Sequence, residues 1–104
     1  MSPGGAILHV VLLRLPEGHD AAELAEVMAG LAALDLPGMS GFHHGPNLDL
    51  EGLSPGLSYG FAARFESREA LKLYAEDPAH RALGARLLAL VGGPTGLLVA
   101  DIGG

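Results

Sequence analysis

The segment Ile7-Leu8-His9-Val10-Val11-Leu12-Leu13-Arg14-Leu15 is apolar at both parities. Read as a β-strand, it sets Ile7, His9, Val11 and Leu13 on one face and Leu8, Val10, Leu12 and Arg14 on the other. A strand of this kind is buried on both sides. If helices cover one face, something else has to cover the second. Pro16-Glu17-Gly18 ends the run.

The composition carries the same message. A chain of 104 residues fits one small domain, expected here over residues 6–103. Hydrophobic residues make up 49% and charged residues 17%, which is more apolar than a lone domain of this size needs. The surplus points to a second buried face supplied by a partner. Twelve acidic against six basic side chains give a formal charge of −6. Such a surface repels phosphate backbones and argues against nucleic-acid binding. Absence of cysteine excludes disulfides, thiolate chemistry and zinc–thiolate sites. The opening Met1-Ser2-Pro3-Gly4-Gly5 lacks the basic region of a leader, and the apolar run from Ala6 to Leu15 is too short to span a bilayer. A cytoplasmic protein without membrane contact is the expectation.

Beyond the first strand, Asp20 reads as a helix N-cap, with Glu23 three residues on in a capping-box pattern. Leu24, Val27, Met28, Leu31 and Leu34 recur at helical spacing until Leu36-Pro37-Gly38 stops the helix. Met39 to Gly45 forms a weaker strand, followed by a long Gly/Pro-rich connection from Gly45 to Gly56 of the kind that often borders a site. Ser58 to Phe65 alternates, with Tyr59, Phe61, Ala63 and Phe65 on one side. Ser67 caps a short helix through Leu71 and Tyr74. Asp77 caps another with Pro78 in its first position, and Leu83, Leu87 and Leu90 carry its stripe to Gly92-Gly93-Pro94. Thr95 to Ile102 is the last strand. The order β-α-β-β-α-β predicts an α+β, ferredoxin-like protomer with a four-stranded antiparallel sheet. Two such sheets packed face to face as a dimeric α/β barrel would bury the surplus apolar faces.

Tyr74 and His80 stand on either side of the Asp77-Pro78 step. With Asp77 as cap, His80 falls in the first turn of a helix, where roughly half a positive charge disfavours imidazolium. A neutral imidazole there can accept a proton near neutral pH. A phenol and an imidazole facing one cavity can polarise a carbonyl and remove an adjacent proton. The plain alternative is a histidine bonded at a helix start beside a core tyrosine. His9, among Ile7, Val11 and Leu13, is read two ways as well, as a pocket residue for a ligand oxygen or as a satisfied core imidazole.

The ordered set His9-Val10-Val11-Leu12-Leu13-Arg14-Leu15, Pro37-Gly38, Gly45-Pro46-Asn47, Phe65-Glu66-Ser67 with Glu69-Ala70, Tyr74-x-x-Asp77-Pro78-x-His80 and Val99-Ala100-Asp101 resembles the stress-responsive dimeric A/B-barrel (Dabb) domain family, from about Ala6 to Ile102. The resemblance implies a homodimer of βαββαβ protomers. It also implies, by likeness to the family's plant olivetolic acid cyclase, cofactor-free aldol chemistry with His80 as general base and Tyr74 orienting the substrate. His9 matches that enzyme's first-strand histidine, and Tyr59 stands where it carries a further pocket histidine. The aromatic residue of its first helix has no counterpart between positions 21 and 34, so a different substrate is expected. A small apolar or aromatic ligand fits the pocket these residues imply. Two alternatives are a non-catalytic structural or stress-associated dimer and a cofactor-free monooxygenase.

The remaining motifs add little. His43 and His44, adjacent on a strand, face opposite sides and do not share one ion, so no metal site is expected. Arg14 and Arg64 lie on the parity away from the pocket, either exposed or paired with Asp101 or Glu66.

Overall fold

The computed structural model describes residues 6–104; the opening Met1 to Gly5, read above for a leader, lies outside the described residues. The chain runs β1 (Ile7–Leu13), α1 (Ala21–Ala32), β2 (Met39–Pro46), β3 (Tyr59–Phe65), α2 (Arg68–Glu76), α3 (Pro78–Val91), a 3-10 turn (Pro94–Gly96) and β4 (Leu97–Gly103). The four strands form one antiparallel sheet in the order β2-β3-β1-β4. This is the ferredoxin-like βαββαβ arrangement that the element order predicts. No helix among the described residues is long and apolar enough to cross a membrane.

Helices lie on one face only. Val11, Leu13 and Phe61 of the sheet pack against Leu24, Val27, Met28 and Leu31 of α1 and Leu87 and Val91 of α3. A second cluster joins Ala63 and Phe65 to Ala70 and Tyr74 of α2. The β1 residues of opposite parity, Leu8, Val10 and Leu12, stay half-buried on the outer face. Beside them Leu98 and Ile102 of β4 are 53% and 57% exposed. The outer face is therefore apolar and open in the protomer.

The helix starts follow local chemistry. Asp20 accepts from the Glu23 N–H (3.0 Å), Ser67 from the Ala70 N–H (3.1 Å) and Asp77 from the His80 N–H (2.9 Å). The Glu23 carboxylate does not complete a capping box. It takes two hydrogen bonds from Arg86 on α3, at 2.9 and 2.7 Å, and Arg86 also reaches Glu26 at 2.7 Å. A guanidinium fork offers more than one backbone N–H, and it ties α1 to α3. The pair holds the Glu23 carboxyl below its ordinary range.

Two boundaries differ from the sequence reading. α1 ends at Ala32 with Ala33 as its cap, short of Pro37-Gly38. Gly38 serves the next turn instead, at φ 78°, where a side chain would collide with Ala70 and Glu66. In β2 the pairing slips between Ser40 and His43, with Gly41 at φ 66°. That bulge turns Phe42 towards the core together with Met39, which simple alternation would not do.

Candidate functional site

Asp77 ends α2 and starts α3. Its extended backbone (φ −62°, ψ 130°) closes α2 while its carboxylate caps α3, and Pro78 fills the first helical position, where no N–H is needed. On one straight helix Tyr74 and His80 would point roughly 120° apart around the axis. The break brings their rings together instead, centroids 3.9 Å apart at an interplanar angle of 39°.

His9 reaches the same place from β1. Its ring lies 5.6 Å from Tyr74 and 5.9 Å from Phe65, edge to face in both cases. Antiparallel pairing sets His9 opposite Asp101 of β4, and His9 Nδ1 meets Asp101 Oδ1 at 2.5 Å. A carboxylate accepts, so the shared proton is assigned to Nδ1 and the other ring nitrogen is left to the site. Asp101 orients His9, a role absent from the sequence reading. The signal lay in the register, since the two residues are paired across strands 92 positions apart. Arg14 takes no part: it donates to the Pro55 carbonyl at 3.3 Å.

These rings stand in a cleft of 420 Å³ between β1 and β4 on one side and α3 on the other. Its other walls are Val11, Phe61, Leu87, Leu97 and Val99, with Gly84 in mid-helix. Burial is the leading influence on the Tyr74 and His80 rings. It pushes the Tyr74 phenol up to about 12, so the hydroxyl keeps its proton and remains a donor. It lowers His80 below its ordinary value; the Ala75 carbonyl opposes this, the neighbouring His9 adds to it, and Asp77 opposes it. The direction matches the helix-start argument, but desolvation is the main cause. His80 Nδ1 is buried without a hydrogen-bond partner, which also disfavours a charged ring. The cleft thus joins a neutral imidazole, a protonated phenol and a carboxylate-oriented histidine in an apolar setting.

The fold brings three of the four candidate residues together. Tyr59 is elsewhere: its hydroxyl bonds His44 Nδ1 at 2.6 Å beyond the far end of the cleft, and Phe61 is the β3 residue in the lining. His43 and His44 pair with Ala62 and Phe61 and so face opposite sides of the sheet. Among the described residues no three histidine or acidic side chains gather as a metal site.

Comparison with known proteins gives a consistent assignment. The model of the stress-responsive A/B barrel domain matches residues 7–102. The stress-response A/B barrel domain-containing protein HS1 of Arabidopsis thaliana is 33% identical over 78 residues, covering 73% of this chain and 72% of HS1. Among solved structures, a dimeric ferredoxin-like protein of unknown function from Jannaschia sp. CCS1 is 36% identical, with a TM-score of 0.79 over 94% of this chain and 98% of its own. A hydroxynitrile lyase from Passiflora edulis has the same TM-score, 0.79, over 96% and 94% of the two chains. At 14% identity that likeness is one of fold alone.

Proposed function

The chain belongs to the stress-responsive A/B barrel domain family, and from that membership and the cleft we propose that it is a homodimer binding a small apolar or aromatic carbonyl compound and performing cofactor-free acid–base chemistry on it. The observation that carries the reading is the convergence of His80, Tyr74 and the Asp101-oriented His9 on one otherwise apolar cleft. A structural dimer has no need to gather three polar rings beside unfilled space.

The chemistry follows from the protonation states. His80 takes a proton from the carbon next to a ligand carbonyl, and the C–H electron pair becomes an enolate. The Tyr74 hydroxyl donates a hydrogen bond to the enolate oxygen. The enolate carbon attacks a second carbonyl of the same molecule, one C–C bond forms, and the proton held on His80 passes to the new alkoxide. His9 holds a ligand oxygen. Protons and electrons balance without a redox partner. Dimerisation is supported by the half-buried Leu8, Val10 and Leu12 and the exposed Leu98 and Ile102 on the outer sheet face.

The test is a thermal-shift screen of wild type, His80→Ala and His80→Gln against β-keto acids and small aromatic ketones. A compound at about 100 times its dissociation constant adds roughly 2.7 kcal/mol and raises the melting temperature measurably. The expected result is a shift in wild type that shrinks in both variants, followed by product analysis. If every compound fails while both variants fold, catalysis is abandoned in favour of a structural dimer.

A further inference from the structure

The cleft is open along one side. β4 is an edge strand and α3 alone stands over it, so Leu88 and Val99 form a rim that is 38% and 47% exposed. At the opposite edge β2 leads into the 47–58 connection, where Leu48, Leu50 and Leu53 are 72%, 89% and 81% exposed. This connection is not loose chain. Asn47 donates to Ser54 Oγ (2.8 Å) and to the Leu57 carbonyl (2.7 Å), and its own side-chain oxygen accepts from the Asp49 N–H (3.0 Å). Asp49 accepts from the N–H and the hydroxyl of Ser54, at 2.9 and 2.7 Å, and holds φ at 47°. A braced loop thus holds three leucines out in water, an arrangement suited to a surface outside the protomer.

The relief of the outer sheet face says where a second copy carries that loop. Leu98 and Ile102 stand up on β4. Towards the opposite edge of the same face, Gly45, where an added side chain would meet no atom within 4 Å, borders a hollow of 230 Å³ with Val10, Leu12, His43 and Ala62. In a two-fold pair packed face to face, the same patch serves both copies. An axis running along the strands sets one copy's β4 over the other's β2, so that Leu98, level with Leu12, Gly60 and Gly45, meets the hollow. An axis across the strands stacks β4 on β4 and leaves both hollows unfilled. Packing density selects the first. An axis along the strands also keeps strand ends level. Pro46, Tyr59, Leu13 and Leu97 are aligned across the sheet, so the partner's 47–58 loop arrives at the Leu97 end of the cleft.

We propose that the 47–58 loop of each protomer closes the open side of its partner's cleft, with Leu50 and its neighbours packed on Leu88 and Val99, so that each site is completed by the second copy. This rests on the homodimer and cleft of the preceding reading. The lid would exclude water from the rings and limit the ligand to a compact apolar molecule.

The cysteine-free chain makes the test direct. Leu50→Cys and Leu88→Cys chains, differently tagged, are co-expressed and treated with a short bis-maleimide; Leu98→Cys is treated alone. All three positions are exposed, so the variants should fold. The expected product is a covalent dimer carrying both tags, with little self-coupling of Leu98→Cys. A sedimenting dimer that yields no Leu50–Leu88 product overturns the lid, whatever Leu98→Cys does. If a ligand shift is nonetheless found, the cleft reading survives. A monomer by sedimentation overturns both lid and dimer.

Discussion

α1 and α3 lie side by side on the sheet, and each carries a glycine within it. At Gly30 an added methyl group would stand 2.7 Å from Leu83 Cδ2. At Gly84 it would meet no atom within 4 Å. The first glycine exists so that α3 can approach α1 closely, with Leu83 filling the space a side chain would take. The second faces the cleft and leaves space empty. A mid-helix glycine costs roughly 0.5–1 kcal/mol relative to alanine. In the closed half of the helix layer that cost is returned as packing, whereas in the open half nothing in the protomer returns it. The difference separates a half selected for stability from a half selected for room.

The largest effect that would test this contrast lies in the closed half. Leu31 is 2% exposed beneath α1, and Leu31→Ala should cost about 2–5 kcal/mol in chemical denaturation, transfer and cavity terms together. A loss near zero would mean that the closed half is not packed as described. The glycines come next, with unequal effects. Gly84→Ala should stabilise by about 0.5–1 kcal/mol, raising the melting temperature by about 4–8 °C per kcal/mol, while narrowing the cleft and weakening any ligand-induced shift. Gly30→Ala gains the same helix propensity but has to move the end of the Leu83 side chain, so it should stabilise less than Gly84→Ala. Equal responses at the two sites would erase the distinction between the halves.

The sequence disclosed what is local and periodic. Asp20, Ser67 and Asp77 all cap as their spacing predicts, because a cap needs only the N–H two or three residues on. The two apolar faces of β1 foretold a sheet with helices on one side and an unsatisfied face on the other. Non-local choices were not legible. Glu23 turns from its own helix start to Arg86, 63 residues away, because only the fold brings a guanidinium there. The bulge at Gly41 redirects Phe42 without a periodic signal. The site divides the same way. Tyr74 and His80 were readable as a pair from the Asp77-Pro78 step. Asp101 was not, since its meeting with His9 depends on the β1–β4 register, and that pairing places it on the face opposite Arg14 and Arg64. Tyr59 shares a strand face with Phe61 but lies one pleat beyond the cleft, a distance that strand parity does not measure.

The smallest effect lies in how each half responds to acid. His80 is held below its unfolded value of 6.5 chiefly by burial, so the unfolded chain binds the proton more readily than the folded one. Stability from this group is therefore complete above the unfolded value. It falls as the pH drops through 6.5 towards the folded value, and below that the loss levels off. The closed half behaves differently, because the Glu23 carboxyl, hydrogen-bonded to Arg86, is held below the ordinary carboxylate range and titrates in stronger acid. Melting curves at about pH 7.5 and about pH 5.5 should show a larger drop for wild type than for His80→Gln, with the two nearly parallel at lower pH. An unchanged drop in the variant would place the acid-sensitive group elsewhere and remove the argument that the open half keeps a neutral base in reserve.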